Sequence, residues 1–331
     1  MSAGPGWFRV GIVGAGNICR LHLEGIARHP DRMRVTALCD PDTDALGARA
    51  EAWQIAEVYA DLEGMLARAQ LDAAVVCTPT HVRKDVLAAL IDAGIPVFCE
   101  KPFAETFAEA AEIERRARDR GVPVAINQNF RRHFTFFLAR RLLAQGHLGR
   151  PLHLTQVTGA LRRDRGWRLE RERYVMAVMS IHWFDGYRYL LGDEATEVYC
   201  RAVNSPAAEG GRDTAVSVLL QFSKGAVACL TESFSCFAGA SCCILDCELG
   251  GLAMGYDRLE EVRADGQRFE HRNPFDKAEA TYVLLDDLLR AAAEGRPPET
   301  SAADNLRSMR ILEAAYRSVE EERPIRPAEI E

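Results

Sequence analysis

The chain has 331 residues, a length that predicts two domains rather than a single hydrophobic core. Its 41 Lys and Arg residues and 48 Asp and Glu residues give a formal net charge of −7, which argues against nucleic acid as the main partner. No apolar run approaches the roughly 20 residues that span a bilayer. The glycine-interrupted N-terminus lacks the basic start of a secretory signal, so we expect a cytoplasmic protein with no membrane partner.

The ten cysteines raise the question of a metal site or of disulfides. Cys39, Cys77 and Cys99 lie in or at the end of apolar runs, where a thiol behaves as a small buried side chain. Those between residues 229 and 247 fall in strand-like sequence, with no C-x-x-C pair and no histidine cluster nearby. This spacing favours reduced structural thiols, and we expect no metal.

The first 125 residues alternate between buried strands and helices. The predicted strands are 8–16, 34–42, 71–80, 95–102 and 122–130, and the predicted helices are 17–29, a helix from Thr43, 83–94 and 108–121. Continuous apolar strands separated by helices of this length are typical of βαβ units in a parallel sheet. With right-handed crossovers this is a doubly wound α/β Rossmann domain, which we place at residues 1–126.

The pattern changes near residue 150. Residues 151–163 alternate in hydrophobicity, residues 174–192 form a predicted helix that ends at a glycine, and several strand-like runs follow between 196 and 271. Two predicted helices, 276–295 and 302–322, close the chain, and packing of these helices back on the first domain is an alternative to a place in the second. Strands that follow each other without helices indicate an α+β domain with a mostly antiparallel sheet, which we place at residues 127–331.

A glycine-rich turn joins the first strand to the first helix. In G-x-G-x-x-C, Gly14 makes the tight turn, and Gly16 lets the backbone at the helix start, including Asn17 and Ile18, approach a pyrophosphate. The third position, Cys19, departs from the expected Gly or Ala but is still small. The motif follows a strand and opens a helix, which favours a dinucleotide site over a glycine turn without a ligand.

An acidic residue at the end of the second strand completes this motif. Asp40 would accept hydrogen bonds from both hydroxyl groups of the adenosine ribose. Its carboxylate would repel a 2′-phosphate, and no arginine follows immediately in CDPDTD. NAD is therefore the predicted cofactor in preference to NADP.

The chain resembles the Gfo/Idh/MocA family, the glucose–fructose oxidoreductase and inositol dehydrogenase superfamily, in segments that share its order and spacing. They are GIVGAGNICRLH, ALCDPD, LDAAVVCTPTHV, AGIPVFCEKPFAET and MSIHWFDGYRYLLG. The resemblance implies NAD(P)-dependent oxidation or reduction of a hydroxyl or carbonyl carbon on a sugar, cyclitol or related polyol. It also implies an open C-terminal sheet that forms a homodimer or homotetramer.

The Glu-Lys-Pro motif at residues 100–102 is the most specific of these matches. The resemblance implies that Lys101 is the catalytic acid/base, in contact with cofactor and substrate. Independently, a lysine at the carboxyl end of a parallel strand lies where such folds bind ligands. Glu100 would hold the Lys101 ammonium group or the nicotinamide ribose, and Pro102 restricts Lys101 to extended backbone angles. A solvated strand end is the alternative for this charged pair.

His182 in SIHWFD is the second catalytic and substrate-binding candidate that the resemblance implies. The family usually has an acidic residue four positions earlier, where this chain has Val178. Asp185 matches a family aspartate that we interpret as structural. A packed helix histidine without a catalytic role is the alternative for His182.

Further cofactor contacts are implied by the same resemblance. It places Thr78 and Pro79 in the turn after the strand that passes under the nicotinamide, with His81 beside them. The family's usual histidine two positions further on is Arg83 here. Asn129 ends the next predicted strand, where its amide would touch the ribose or the substrate; turn capping is its alternative role.

An arginine-rich segment, RRDRGWRLERER, precedes the His182 helix. Because family members place substrate-contacting loops there, Arg168 is a candidate for binding an anionic group of the substrate, and Trp167 for stacking on a sugar ring. A structural tryptophan is the alternative for Trp167. We favour a solvated mixed-charge face for the segment as a whole, because acidic residues alternate with its arginines.

Two other functions stay open at this point. A ligand-sensing regulatory protein would keep the dinucleotide site without turnover. Val178 in place of the usual acidic residue would suit such a protein, although Lys101 and His182 argue against it. A glycosidase that uses bound NAD in a redox-assisted cycle is the other possibility. The motifs favour an NAD-dependent oxidoreductase that acts on a small-molecule polyol or sugar.

Overall fold

The computed structural model describes residues 6–164, 172–206, 213–274 and 276–331. The chain divides into two compact units, Met1–Asn129 with Asp276–Leu306 and Phe130–Phe275 with Arg307–Glu331. No helix within the described ranges is long and apolar enough to cross a membrane.

The first unit is built on a six-stranded sheet with the strand order β3-β2-β1-β4-β5-β6. Its strands are β1 (Phe8–Val13), β2 (Met33–Cys39), β3 (Glu57–Tyr59), β4 (Ala73–Val76), β5 (Val97–Cys99) and β6 (Val124–Ile126). Its helices are α1 (Cys19–Ala27), α2 (Thr43–Trp53), α3 (Leu62–Arg68), α4 (Thr80–Asp92), α5 (Phe107–Arg120) and α8 (Lys277–Glu294). All its strand pairs are parallel, so the predicted doubly wound Rossmann fold is confirmed.

Some element boundaries in this unit differ from those predicted. The strand β3 and the helix α3 were not predicted, because a three-residue strand is too short to show a period. The predicted strands at 95–102 and 122–130 are also too long. Each ends after three residues, where Glu100 and Asn127 replace apolar side chains and hydrogen bond to each other. Residues 129–132 form a 3-10 helix instead of a strand end.

Helix α8 belongs to the first unit although it lies far along the sequence. Its residues between Tyr282 and Leu289 pack into a hydrophobic cluster with β1 and α1. The approach is close because Gly25 has no side chain: a Cβ atom there would lie 2.6 Å from the carbonyl oxygen of Ala278. A glycine in α1 thus sets the distance between α1 and α8.

The second unit contains an eight-stranded sheet with the order β14-β13-β12-β11-β7-β10-β9-β8. Its strands are β7 (Pro151–Leu161), β8 (Ala195–Val203), β9 (Ala215–Phe222), β10 (Val227–Ser233), β11 (Ser235–Cys247), β12 (Gly250–Met254), β13 (Arg258–Arg263) and β14 (Arg268–Arg272). Its helices are α6 (Phe134–Ala144), α7 (Ile181–Leu191) and most of α9 (Ala302–Glu321). Among these described strands only β7 and β10 pair in parallel, so the predicted mostly antiparallel sheet is confirmed.

The contact between α1 and α8 yields the first prediction. Gly25→Ala forces these helices apart and is expected to lower the free energy of unfolding by about 1–3 kcal/mol. Gly47, on the exposed face of α2, is the matched control, since nothing lies within 4 Å of its Cβ position. Gly47→Ala is expected to raise the free energy of unfolding by about 0.5–1 kcal/mol, because alanine favours the helix. Urea unfolding followed by circular dichroism measures both; equal effects would contradict the close packing.

Candidate active site

Four of the predicted site residues follow four neighbouring strands of the parallel sheet. Gly14 follows β1, Asp40 follows β2, Thr78 follows β4, and Lys101 follows β5. The strand order β2-β1-β4-β5 therefore spreads them along the carboxyl edge of the sheet. At about 4.8 Å between strands, this row spans roughly 15 Å. The strand order reverses between β1 and β4, which is the usual ligand-binding position in such sheets.

The glycine turn has the geometry that a pyrophosphate requires. Gly14 has φ +102°, and a Cβ atom there would lie 2.8 Å from the backbone of Cys77, so only glycine fits. At Gly16 a Cβ atom would meet nothing within 4 Å, which leaves the surface above the turn open. Helix α1 begins after Ile18 without a side-chain cap and without an acidic residue in its first turn. The residues fit the phosphates of a dinucleotide.

Asp40 is half-buried and joins the end of β2 to the glycine turn. Its Oδ2 accepts a hydrogen bond from the Ala15 N–H at 2.6 Å, and its Oδ1 accepts one from the Asp42 N–H at 2.9 Å. A carboxylate oxygen accepts about two hydrogen bonds. Each oxygen therefore keeps capacity for a ribose hydroxyl.

Arg49 on α2 lies beside the same turn and was not predicted from the sequence. Its guanidinium donates to the carbonyl oxygens of Ala15 at 3.3 Å and of Gly16 at 3.5 Å. The CDPDTD segment has no arginine. Arg49 lies nine residues after Asp40 in the sequence, and α2 brings its side chain to the turn. The structure thus adds a positive charge beside the turn, where it would attract the phosphates of a dinucleotide.

The turn after β4 contributes a buried hydroxyl group. The Oγ1 atom of Thr78 is buried, and no residue of the described chain hydrogen bonds to it. A buried polar atom without a protein partner suits a ligand group. Pro79 precedes α4, and His81 is exposed in the first turn of that helix.

A buried polar network surrounds Glu100. The residue is only 6% exposed; its Oε1 lies 2.8 Å from His22 Nε2 and accepts a hydrogen bond from Asn127 Nδ2 at 2.7 Å. Thr281 of α8 accepts a hydrogen bond from Asn129 Nδ2 at 3.2 Å. These contacts join α1, β5, the end of β6 and α8 within the first unit.

The network keeps Glu100 ionised. Burial acts to raise the pKa of Glu100, but the hydrogen bond and charge of His22, with Asn127 and Lys101, lower it to about 2. An ionised carboxylate, hydrogen bonded to His22 and Asn127, therefore lies inside the first unit, next in sequence to the half-buried Lys101. His22 was not predicted; its only sequence signal is a histidine on the apolar face of α1.

His182 lies on α7 in the second unit and is 4% exposed. Its ring stacks on Phe130, with 4.4 Å between centroids and 9° between planes. Trp183 packs edge-on against the same phenylalanine. The imidazole plane is thus fixed by an aromatic neighbour within its own unit.

Asp185 makes buried contacts that agree with our structural interpretation. Both of its oxygens accept hydrogen bonds from Arg131, each at 2.7 Å, and Ser308 donates to it at 2.9 Å. This buried pair fixes α7 against the 3-10 helix of residues 129–132. Arg131 is therefore engaged by Asp185.

The helix predicted over residues 174–192 ends at Gly192 as expected but begins differently. Met176–Ser180 forms a π-helical turn that contains Val178. Asp213 anchors this turn by accepting the N–H groups of Tyr174 and Met176 at 2.7 and 2.9 Å. Burial raises the pKa of Asp213 to about 6, although these hydrogen bonds act to lower it. Turns of this kind concentrate at functional sites.

Two described arginines of the 162–173 segment, Arg162 and Arg173, are paired with carboxylates. Arg162 bonds to Asp164 at 3.1 Å, and Arg173 makes two hydrogen bonds to Glu313. These pairs agree with the mixed-charge hypothesis. Trp167 and Arg168 lie outside the described residues, so their proposed contacts stay predictions.

The cysteines bear on the question of a metal centre. All ten cysteines are thiols, and burial raises the pKa of several of them, including Cys77 and Cys99. In the part of the chain that the structure describes, no group of three or more His, Cys, Asp or Glu residues could hold a metal ion.

Comparison with known families assigns both units. Residues 8–128 match the oxidoreductase family with an NAD-binding Rossmann fold, and residues 136–253 match the GFO/IDH/MocA C-terminal domain. The fold and the nucleotide site therefore define an NAD(P)-dependent oxidoreductase. The chain belongs to the Gfo/Idh/MocA family.

Individual relatives are similar over nearly the whole chain. The D-apiose dehydrogenase of Paraburkholderia graminis is 27% identical over 96% of this chain and 89% of its own length. The inositol 2-dehydrogenase of Rhizobium meliloti is 27% identical over 96% and 98%. An Agrobacterium radiobacter oxidoreductase, solved with NAD+, L-tartaric acid and magnesium, superposes with a TM-score of 0.91 at 20% identity, covering 98% of this chain and 99% of that one. That last likeness shows the fold.

Cofactor affinity tests the nucleotide site. Arg49→Met and Asp40→Ala are each expected to raise the dissociation constant of NAD by roughly tenfold or more, because each removes charge-assisted hydrogen bonds. Arg34→Met is the matched control, since Arg34 lies at the amino end of β2. Isothermal titration calorimetry measures all three. NAD affinity equal to that of the unaltered protein in both site variants would contradict the assignment.

Proposed function

We propose that this protein is an NAD-dependent dehydrogenase that oxidises a secondary hydroxyl group of a cyclitol or cyclic sugar, with Lys101 as the proton acceptor. The observation that carries the proposal is the row of Asp40, Gly14, Thr78 and Lys101 along the carboxyl edge of the sheet. This row supports the proposed roles of Lys101 in proton transfer and of Asp40 in ribose binding, because the two residues lie at opposite ends of it.

The chemistry follows from the groups at this edge. NAD, when bound, supplies the hydride acceptor for the carbinol carbon. Lys101 takes the proton from the reacting hydroxyl group at Nζ, and it returns that proton in the reverse reaction. Lys101 is half-buried, and a general base acts from within hydrogen-bond reach of the proton that it accepts.

His182 is proposed as a second group that contacts the substrate hydroxyl. Its burial and its stacking on Phe130 support this role, because they fix the ring orientation that a hydrogen bond to substrate needs. Val178 leaves no carboxylate four residues before it, so this role rests on the imidazole itself.

The substrate class is proposed from the relatives. A D-apiose dehydrogenase and an inositol 2-dehydrogenase both act, by their names, on polyhydroxylated compounds. Both are similar over 96% of this chain, including the second unit. We therefore propose myo-inositol, D-apiose and related polyols as the first compounds to assay.

We also propose a homodimer or homotetramer that forms through the eight-stranded sheet. Leu219 and Ile244 are 45% and 39% exposed and lie in one cross-strand row with Thr155 and Cys229. An exposed apolar sheet face of this kind supports self-association. Light scattering should give a mass of two or four times 36.7 kDa; the mass of one chain would contradict it.

Turnover tests the role of Lys101. Lys101→Met is expected to lower kcat/KM for the best polyol by about 10²–10⁴-fold, because acid/base catalysis contributes that much, and to leave the dissociation constant of NAD nearly unchanged. His182→Asn is also expected to lower kcat. NADH absorbance measures turnover across the polyol panel.

Lys84→Met is the control, since Lys84 lies on α4 and pairs with Glu112 at 2.7 Å. This variant should retain full turnover. A Lys101→Met protein that reduces NAD at the rate of the unaltered protein would contradict the proposed mechanism.

A further inference from the structure

Arg83 is a buried arginine on α4, 3% exposed, whose hydrogen bonds converge on the segment around Lys101. Its Nη1 atom donates to the carbonyl oxygen of Glu100 at 2.8 Å and also to that of Pro102. Its Nη2 atom donates to the carbonyl oxygen of Thr78. One guanidinium group therefore holds the main chain on both sides of Lys101 and the turn after β4.

The kind of acceptor is informative. All three acceptors are backbone carbonyl oxygens, and no carboxylate accepts a hydrogen bond from Arg83 within the described ranges. Burial of a charge is costly unless hydrogen bonds satisfy it. The planar fork of the guanidinium suits three acceptors in fixed directions, whereas an ammonium group does not. Arg83 thus stabilises a particular backbone conformation and does not form an ion pair with a carboxylate of the described residues.

The position of these carbonyls links the contacts to catalysis. Residues 100 and 102 are the immediate neighbours of Lys101. When both are fixed, the position of the Lys101 Cα atom is restricted, and with it the direction of the side chain. The third carbonyl belongs to Thr78, whose buried hydroxyl is part of the proposed cofactor site. A shift of about 1 Å in a catalytic group costs as much as 10²-fold in rate.

We propose that Arg83 is a positioning residue for Lys101: its guanidinium fixes the backbone at residues 100–102 and couples it to the turn at Thr78. This inference rests on the proposed function for its effect on turnover. Its structural part, the fixing of this backbone segment, stands apart from the identity of the substrate.

Hydrogen exchange tests the structural part without any substrate. In Arg83→Met, the peptide that covers residues 99–107 should exchange at least tenfold faster than in the unaltered protein, while the peptide that covers β1 should not change. Lys84→Met, altered at the next residue of the same helix, should leave both peptides unchanged. Unchanged exchange at residues 99–107 in Arg83→Met overturns the proposal, whatever the turnover assay shows.

Kinetics tests whether Arg83 acts through Lys101. Arg83→Met should lower kcat for the best polyol by roughly 10- to 100-fold with little change in the dissociation constant of NAD. In a Lys101→Met background the same substitution should have no further effect on kcat. An equal loss in both backgrounds overturns the proposal, because Arg83 would then act independently of Lys101.

A conservative variant separates positioning from general destabilisation. Arg83→Lys keeps the charge but cannot reach all three carbonyls, so it should recover part of the lost kcat and of the exchange protection. If Arg83→Met does not fold, hydrogen exchange and kcat are both measured in Arg83→Lys. We then expect partial loss of kcat and of exchange protection. Values of both equal to those of the unaltered protein would overturn the proposal. Absence of turnover in the unaltered protein on every polyol would refute the proposed function, while the exchange data would still decide the role of Arg83.

Discussion

A buried, ionised carboxylate at the end of β5 is the constraint on which the carboxyl edge of the first unit depends. Removing Glu100 from water is unfavourable unless hydrogen bonds and an opposite charge offset the lost hydration. His22 of α1 and Asn127 at the end of β6 supply the hydrogen bonds, and Lys101 supplies a positive charge. The sheet, the helix that starts at the glycine turn and the residue before Lys101 are therefore held together by one side chain.

The placement of Lys101 follows from this arrangement. Glu100 is held from inside the unit by the polar network, and its carbonyl oxygen is held by Arg83 of α4. Side chain and main chain of the preceding residue are thus both fixed, which fixes the backbone from which the Lys101 side chain extends. A proton acceptor gains from such preorganisation because less reorganisation is needed in the transition state.

Much of this edge could be predicted from local sequence, because Gly14, Asp40 and Lys101 each follow an apolar run that marks a buried parallel strand. The partners of these residues could not. His22 is 78 residues from Glu100, and Arg83 contacts backbone carbonyls, which carry no side-chain signature. The place of α8 in the first unit depends on a close helix contact at Gly25, which hydrophobic periodicity does not show. Local sequence pattern thus predicts strands and motifs, whereas polar contacts between residues far apart in the sequence can be identified only once the fold is known.

The most direct test of this account compares the free energy of unfolding of the unaltered protein and Glu100→Gln at two pH values. The pKa of Glu100 is lowered from 4.5 to about 2 in the folded protein, so its stabilising effect is present above about pH 4.5 and is lost as the pH falls toward 2. At pH 7 the variant should be less stable by about 3 kcal/mol, and at pH 3 by about half of that. Urea unfolding followed by circular dichroism gives both values. A variant as stable as the unaltered protein at pH 7, or a difference that does not change with pH, would contradict the account.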